Sequence, residues 1–207
     1  METMIFAPTT PKKYMLKIPV QKRSRETVSS IIDSCSKLLV SDQYNAITTD
    51  RIAEMAGVSI GSLYQFFANK EAIVAAVIDD LLEKDIQYMR EGFKTLPLDM
   101  DARVRSIIDL GFARFHVNRE LRTALQNVQG LLDYWETRKV FFEVYQKLIL
   151  EHVPFIEGRD RELMALIIVS TFNSALQLSL MKNTYTPEQE MKLKSEIYVL
   201  ITRYIKA

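Results

Sequence analysis

The sequence predicts an all-α protein. Apolar residues recur at helical spacing along most of the chain, and Val28, Ile31 and Ile32 begin one such stripe. The 207 residues include only six glycines and six prolines, fewer than the tight turns of an all-β protein need. No segment alternates strictly between apolar and polar residues, and the proline-free block from Pro19 to Pro97 is typical of long helices with short connections.

Composition limits the class of protein further. Hydrophobic residues make up 48% of the chain and charged residues 26%, which predicts a folded chain with a substantial core. The only cysteine is Cys35, so a disulfide within one chain is excluded and a reducing compartment is favoured. The formal net charge is +1, so no overall field attracts the protein to DNA or to a membrane. We expect a cytoplasmic protein.

The first 22 residues are expected to form a flexible basic arm. Residues 12–25 contain six basic and no acidic side chains: Lys12, Lys13, Lys17, Lys22, Arg23 and Arg25. Three lysines and three prolines interrupt residues 1–21, so this segment lacks the continuous apolar core of a signal peptide. A solvated tail with no further role is the alternative interpretation of such a charge run.

A more specific pattern begins at Thr48. Thr48 can cap a short helix, and Gly57 stands where a helix often ends in a left-handed residue. Ser59 can cap a second helix over 60–66, and Asn69 can cap a third. Two short helices that cross at a glycine-containing turn describe a helix-turn-helix, whose second helix enters the DNA major groove.

These residues resemble the N-terminal domain of tetracycline-repressor (TetR) family regulators over about residues 24–80. The positions that agree with the family pattern are Thr48, Ile52, Ala53, Ala56, Gly57, Val58, Ser59, Gly61, Leu63, Tyr64, Phe67 and Lys70. The resemblance implies a DNA-binding domain over 23–82, with the helix-turn-helix at about 47–66. It also implies a C-terminal ligand-binding and dimerisation domain over 83–207.

The resemblance also implies roles for individual residues. The expected DNA contacts are Thr48, Thr49, Ser59, Ile60, Gly61, Ser62, Tyr64, Gln65, Phe66 and Lys70, with Lys22, Arg23 and Arg25. Thr48, Tyr64 and Lys70 would bind phosphates, whereas Gln65 could read adenine and Ile60 could meet a thymine methyl. Ser59 suits a cap better than a base contact. Ile60 and Phe66 depart from the family pattern, which often has a basic or small residue at the first position and Tyr or His at the second.

The C-terminal half is rich in aromatic residues. By resemblance, some of them would line a pocket for an apolar small-molecule effector; ordinary core packing is the alternative for each one. The pocket candidates are Met89, Phe93, Phe112, Phe115, Tyr134, Trp135 and Phe172, with His116, Asn173 and Gln177 as polar anchors. No residue identifies the effector.

The last two predicted helices, about 160–182 and 187–205, are candidates for a homodimer interface. The first has no charge over 19 residues, from Leu163 to Met181, which is near membrane-spanning length. Its serine, threonine, asparagine and glutamine residues favour burial in protein, and no membrane contact is expected. A two-fold dimer would place two recognition helices about one DNA turn, ~34 Å, or a multiple apart on a near-palindromic operator.

An enzyme is the first alternative, and the sequence argues against it. His116 and His152 lie far apart with no cysteine or carboxylate at metal-ligand spacing, so we expect no catalytic residue, metal or cofactor. Cys35 falls on an apolar stripe, which indicates a buried structural thiol. The remaining alternative is a helical small-molecule-binding dimer that has lost DNA binding. The expectation of a repressor rather than an activator rests on family frequency alone.

Overall fold

The structure, a computed structural model, describes residues 14–128, 135–153, 159–181 and 186–206. This part of the chain is helical, which confirms the predicted all-α class. The elements are α1 Lys22–Ser41, a 3-10 turn at Tyr44–Ala46, α2 Thr49–Ala56, α3 Ile60–Tyr64, α4 Lys70–Phe93, α5 Met100–His116, α6 Arg119–Val128, α7 Trp135–His152, α8 Arg161–Met181 and α9 Pro187–Lys206.

The chain divides into two compact units. The first combines Met1–Glu83 with Glu120–Tyr134, and the second combines Lys84–Arg119 with Trp135–Ala207. Residues 83–207 are expected to form one domain, but α6 from Glu120 onward groups with the first unit. The physical reason is the apolar face of α6: its residues Leu121, Leu125 and Val128 are buried in the same core as α1 to α4.

The core of the first unit is built on the apolar stripe of α1. Ile31 and Cys35 are fully buried there, together with Leu63 of α3 and Ile73 of α4. Burial raises the pKa of the Cys35 thiol to about 12, and the nearby charge of Lys70 offsets this only in part. The thiol therefore stays protonated at neutral pH, as expected of a structural residue.

In the second unit, α5, α7, α8 and α9 enclose a separate apolar core. Gly111 lies in the middle of α5, directly against the ring of Phe172 from α8. A Cβ atom at Gly111 would overlap that ring, so the glycine is what allows this close approach. Phe172 also packs edge-on against Phe112, with ring centroids 5.9 Å apart.

Within the described residues, one helix has the length and apolar composition of a membrane span. It comprises Arg161–Ser179 of α8, with a mean hydropathy of 1.3, and 28% of this window is buried inside the structure. These two properties are weak evidence for a membrane, since core helices of other proteins share them. Much of the apolar surface of α8 is not covered by the residues that the structure describes.

Candidate nucleic-acid interface

The helix-turn-helix of the first unit is defined by side-chain caps that the sequence predicts, and these caps are confirmed. The hydroxyl of Thr48 accepts a hydrogen bond from the Arg51 amide at 3.3 Å at the start of α2. The Ser59 hydroxyl accepts from the Ser62 amide at 3.1 Å at the start of α3. Gly57, between the two helices, has a φ of +66° in the left-handed region. Both helix starts and the turn are therefore fixed by local interactions.

Packing behind α3 determines which of its faces meets solvent. Ile52 and Ala53 of α2 are buried against Leu63 of α3, so Leu63 faces inward. Ile60 and Gln65 are exposed on the outer side of the helix. This arrangement presents the expected base-reading positions to solvent.

One predicted contact, Phe66, is wrong. The sequence analysis continues the recognition helix to residue 66, but α3 ends at Tyr64. Beyond that point the chain turns, and Phe66 and Phe67 are both buried in the core, with 5% and 0% of their surface exposed. Phe66 therefore presents no exposed side chain to DNA in this structure.

Hydroxyl groups from α2 and α3 meet at the exposed surface. Thr49 Oγ1 and Tyr64 Oη lie 3.0 Å apart, at hydrogen-bond distance. The Tyr64 side chain remains 46% exposed. Thr48 is exposed beside this pair, although its hydroxyl serves the cap of α2. One hydroxyl of the Thr49–Tyr64 pair donates to the other, so the second hydroxyl of the pair and that of Thr48 can donate to anionic oxygens such as those of phosphates.

Lys70, at the first position of α4, is held by Tyr44, which is not among the predicted site residues. Its ammonium nitrogen donates to the carbonyl oxygen of Tyr44 at 3.0 Å. The same nitrogen lies 4.0 Å from the centroid of the Tyr44 ring. The Tyr44 hydroxyl in turn donates to Glu71 Oε1 at 3.0 Å. An aromatic residue 26 positions before Lys70 gives no pattern that sequence periodicity detects.

The described part of the basic arm makes two backbone contacts with the turn that follows α3, and the expected flexibility of the arm stays a prediction. Met15 pairs with Phe67 in an isolated antiparallel bridge, and the Leu16 amide donates to the Phe66 carbonyl at 2.8 Å. This pairing fixes the chain beside the turn that follows α3. Lys12 and Lys13 lie outside the described residues.

The three basic residues expected to contact DNA from α1 are exposed, but their side chains differ in the contacts they make. Arg25 donates twice to the Val20 carbonyl, at 3.1 and 2.8 Å, and so orders the entry to α1. Lys22 lies 3.9 Å from Glu26, and its side chain is 91% exposed. Arg23 is exposed in the first turn.

In the second unit, the pocket candidates fall into different environments. Met89, Phe93 and Phe112 are buried in its apolar core. The half-buried candidates are Phe115, Phe172, Asn173 and Gln177. Tyr134 and the side chain of Trp135 lie outside what the structure describes. The burial of Met89, Phe93 and Phe112 agrees with ordinary core packing, the alternative to a ligand pocket.

His116 does not occupy the position expected of a polar anchor inside a pocket. Its side chain is 44% exposed at the end of α5, and its Nε2 lies 2.6 Å from Glu190 Oε2 of α9. Partial burial disfavours the charge of Glu190, but hydrogen bonds from Lys194 and His116 hold the pKa of this carboxyl below its usual value. His116 thus belongs to a surface polar network that also includes Lys194, which lies 3.2 Å from Asp109.

Comparison with known proteins identifies the N-terminal unit. Residues 31–77 match the sequence profile described as bacterial regulatory proteins, tetR family. The chain is 24% identical over 153 residues to the HTH-type transcriptional regulator EthR of Mycolicibacterium smegmatis, which covers 74% of this chain and 70% of that protein. It is 30% identical over 73 residues to a fatty acid metabolism regulator protein of Bacillus subtilis, which covers 35% of this chain and 38% of that protein.

Solved structures show the same fold. NalD, the secondary repressor of the MexAB-OprM multidrug efflux pump of Pseudomonas aeruginosa, superposes with a TM-score of 0.62. The superposition covers 89% of this chain and 98% of NalD at 16% sequence identity. At this identity the likeness shows the fold alone.

Proposed function

The chain belongs to the TetR family of DNA-binding transcriptional regulators, and we propose that it is a ligand-responsive repressor that binds a near-palindromic operator as a homodimer. The observation that supports the proposal most directly is the outer face of α3. This face is exposed, starts at a capped turn and lies beside the hydroxyls of Thr49 and Tyr64. A short helix supported in this way suits insertion into a major groove.

The two kinds of DNA contact come from different residues. Gln65 is exposed at the end of α3, where its amide can pair with the N6 and N7 edge of adenine. Ile60, 38% exposed at the start of α3, can contact a thymine methyl. Thr48, Thr49, Tyr64 and Lys70 bind phosphates, which set the position of the helix without reading sequence.

Homodimer formation is supported by the uncovered face of α8. Its large exposed apolar residues are Leu163, Leu166, Ile167 and Leu178, and Met191 and Leu200 of α9 are also exposed. On α8 these residues lie on one side of the helix, around the small residue Ser174. A second copy of α8 and α9 that packs there in a four-helix interface would remove this apolar surface from water.

Ligand response is proposed for the second unit, because aromatic and polar candidates occur there together. The names of the relatives concern fatty acid metabolism and drug efflux, two different fields, so they do not select an effector. A ligand would regulate DNA binding only through different affinities for two conformations of the dimer. Helix α4 contributes residues to both units and would carry the change. The protein would act in the cytoplasm and carry no catalytic activity.

Selection from a random-sequence duplex library tests the proposal. We expect enrichment of a near-palindromic sequence whose half-sites are one helical turn, or a multiple of it, apart. Fluorescence anisotropy should then give tighter binding to this duplex than to a shuffled one, and the preference should persist when the salt concentration rises. A library without enrichment, with only weak salt-sensitive binding, would contradict the proposal and favour a ligand-binding dimer that has lost DNA binding.

A further inference from the structure

The ammonium group of Lys70 is more restrained than that of a typical surface lysine. Lys70 is half-buried, whereas the side chain of Lys22 is 91% exposed. The Lys70 nitrogen has two fixed neighbours on Tyr44, the carbonyl oxygen at 3.0 Å and the ring centroid at 4.0 Å. A cation at this distance from an aromatic face is attracted by the ring quadrupole. The position of the charge is therefore set within the free protein.

Tyr44 is itself fixed in place. It opens the 3-10 turn Tyr44–Ala46 between α1 and α2, and its side chain packs against the core of the first unit. Its hydroxyl donates to Glu71 Oε1 at 3.0 Å, in the first turn of α4. Burial, together with this acceptor, raises the pKa of Tyr44 to about 12, so the hydroxyl remains a donor at neutral pH. The ring thus connects the turn to the start of α4.

We propose that Tyr44 is a positioning residue for DNA binding, which holds the Lys70 ammonium where it donates to a backbone phosphate. The inference rests on the proposed function, because Lys70 acts on an anion only when DNA is bound. An ammonium has three N–H donors, and the Tyr44 carbonyl takes one of them. The N–H groups that face neither this carbonyl nor the Tyr44 ring are available to phosphate oxygens. Because the lysine rotamer is already selected, less side-chain entropy is lost when the phosphate contact forms.

Substitution of Tyr44 in two backgrounds tests this role. The probe is a fluorescein-labelled duplex of the sequence selected from the random library, and the readout is anisotropy. Tyr44→Leu removes the aromatic face and should weaken binding about 2- to 10-fold, the cost of one newly immobilised flexible side chain. Tyr44→Phe keeps the ring and should bind within about twofold of the unchanged protein. In a Lys70→Ala background, Tyr44→Leu should cause no further loss.

The salt dependence separates positioning from a general disturbance of the fold. Lys70→Ala removes one phosphate contact and should flatten the salt slope by about one unit. Tyr44→Leu should leave the slope unchanged, since Lys70 still reaches the phosphate at a higher entropic cost. Thermal unfolding of every variant controls for folding, and Tyr44→Met offers a second non-aromatic side chain if Tyr44→Leu does not fold.

Two outcomes would overturn the inference, and they are distinguishable. If the unchanged protein binds the duplex and Tyr44→Leu weakens binding equally with and without Lys70, Tyr44 acts on the fold alone and only this inference fails. If the unchanged protein selects no sequence and binds no duplex, the proposed function fails and the role of Tyr44 fails with it.

Discussion

Two glycines of the helix-turn-helix differ in what they contribute. Gly57 has a φ of +66°, and no neighbouring atom lies within 4 Å of the place where its Cβ would be. Its role is therefore conformational, because a left-handed residue other than glycine is strained. Gly61 lies within α3, where its nearest neighbour would be the Ser59 hydroxyl at 3.9 Å, so the fold leaves room for a side chain. Its role is expected at the DNA, where it lets the helix approach closely.

Alanine substitution separates these two roles. Gly57→Ala should lower the free energy of unfolding by about 1–2 kcal/mol, the cost of a left-handed alanine. Gly61→Ala should leave stability unchanged or raise it by up to about 1 kcal/mol, because alanine favours helices, while DNA binding weakens. Denaturant unfolding and anisotropy measure the two effects. Equal loss of stability in both variants would show that the assignment of these roles is wrong.

At the scale of single residues, the sequence predicts those whose structural role depends on near neighbours in the chain. The caps Thr48, Ser59 and Asn69 and the left-handed Gly57 depend on neighbours within three residues, and all four are confirmed. The DNA contact expected of Phe66 comes from the family resemblance, whereas in the structure α3 ends at Tyr64 and Phe66 is buried. Tyr44 is missed because its contact with Lys70 is made only in the folded chain.

Helix α8 has large apolar side chains that the described residues of its own unit leave exposed. Leu163 is 51% exposed, Ile167 38% and Leu178 55%, although they occupy one side of a helix of 21 residues. A second copy that packs on this surface would remove it from water, which is favourable. Under the proposed dimer, burial of the stripe by a partner would account for the composition that resembles a membrane span.

A charge placed on this stripe tests the interface. Ile167→Glu should convert the dimer to a monomer, because an interface carboxylate would lose its hydration without a partner. Leu98→Glu is the matched control, since Leu98 is 93% exposed but lies outside α8 and α9, and it should remain dimeric. Sedimentation velocity gives the mass of each variant. A dimer that persists in Ile167→Glu would place the interface elsewhere.

The limits of the last two helices agree closely with those predicted from apolar periodicity and from the positions of prolines. The expected helices 160–182 and 187–205 are observed as Arg161–Met181 and Pro187–Lys206. The partner of a helix is harder to predict than its limits. The apolar residues of α6 are spaced as in any amphipathic helix, and nothing in that spacing indicates that they pack with the N-terminal core.

At the scale of the whole molecule, the proposed DNA contacts lie in the first unit, and the proposed dimer interface and ligand response lie in the second. The first unit also takes α6 from the C-terminal half of the chain, and α4 supplies residues to both units. A ligand that favours one conformation of the second unit would therefore act on DNA binding through elements shared with the first. Under the proposed function, Ile60 of α3 and Gln65 at its end read the operator, whereas Lys70 contacts only the phosphate backbone.

The most direct test compares Gln65→Ala with Lys70→Ala on the selected duplex and on a shuffled one, across a range of salt concentrations. Gln65→Ala should cost about 1–3 kcal/mol on the selected duplex and almost nothing on the shuffled one, since a base contact exists only in the former. Lys70→Ala should weaken binding to both and flatten the salt slope by about one unit. Equal losses on the two duplexes for Gln65→Ala would contradict the claim that α3 reads the sequence.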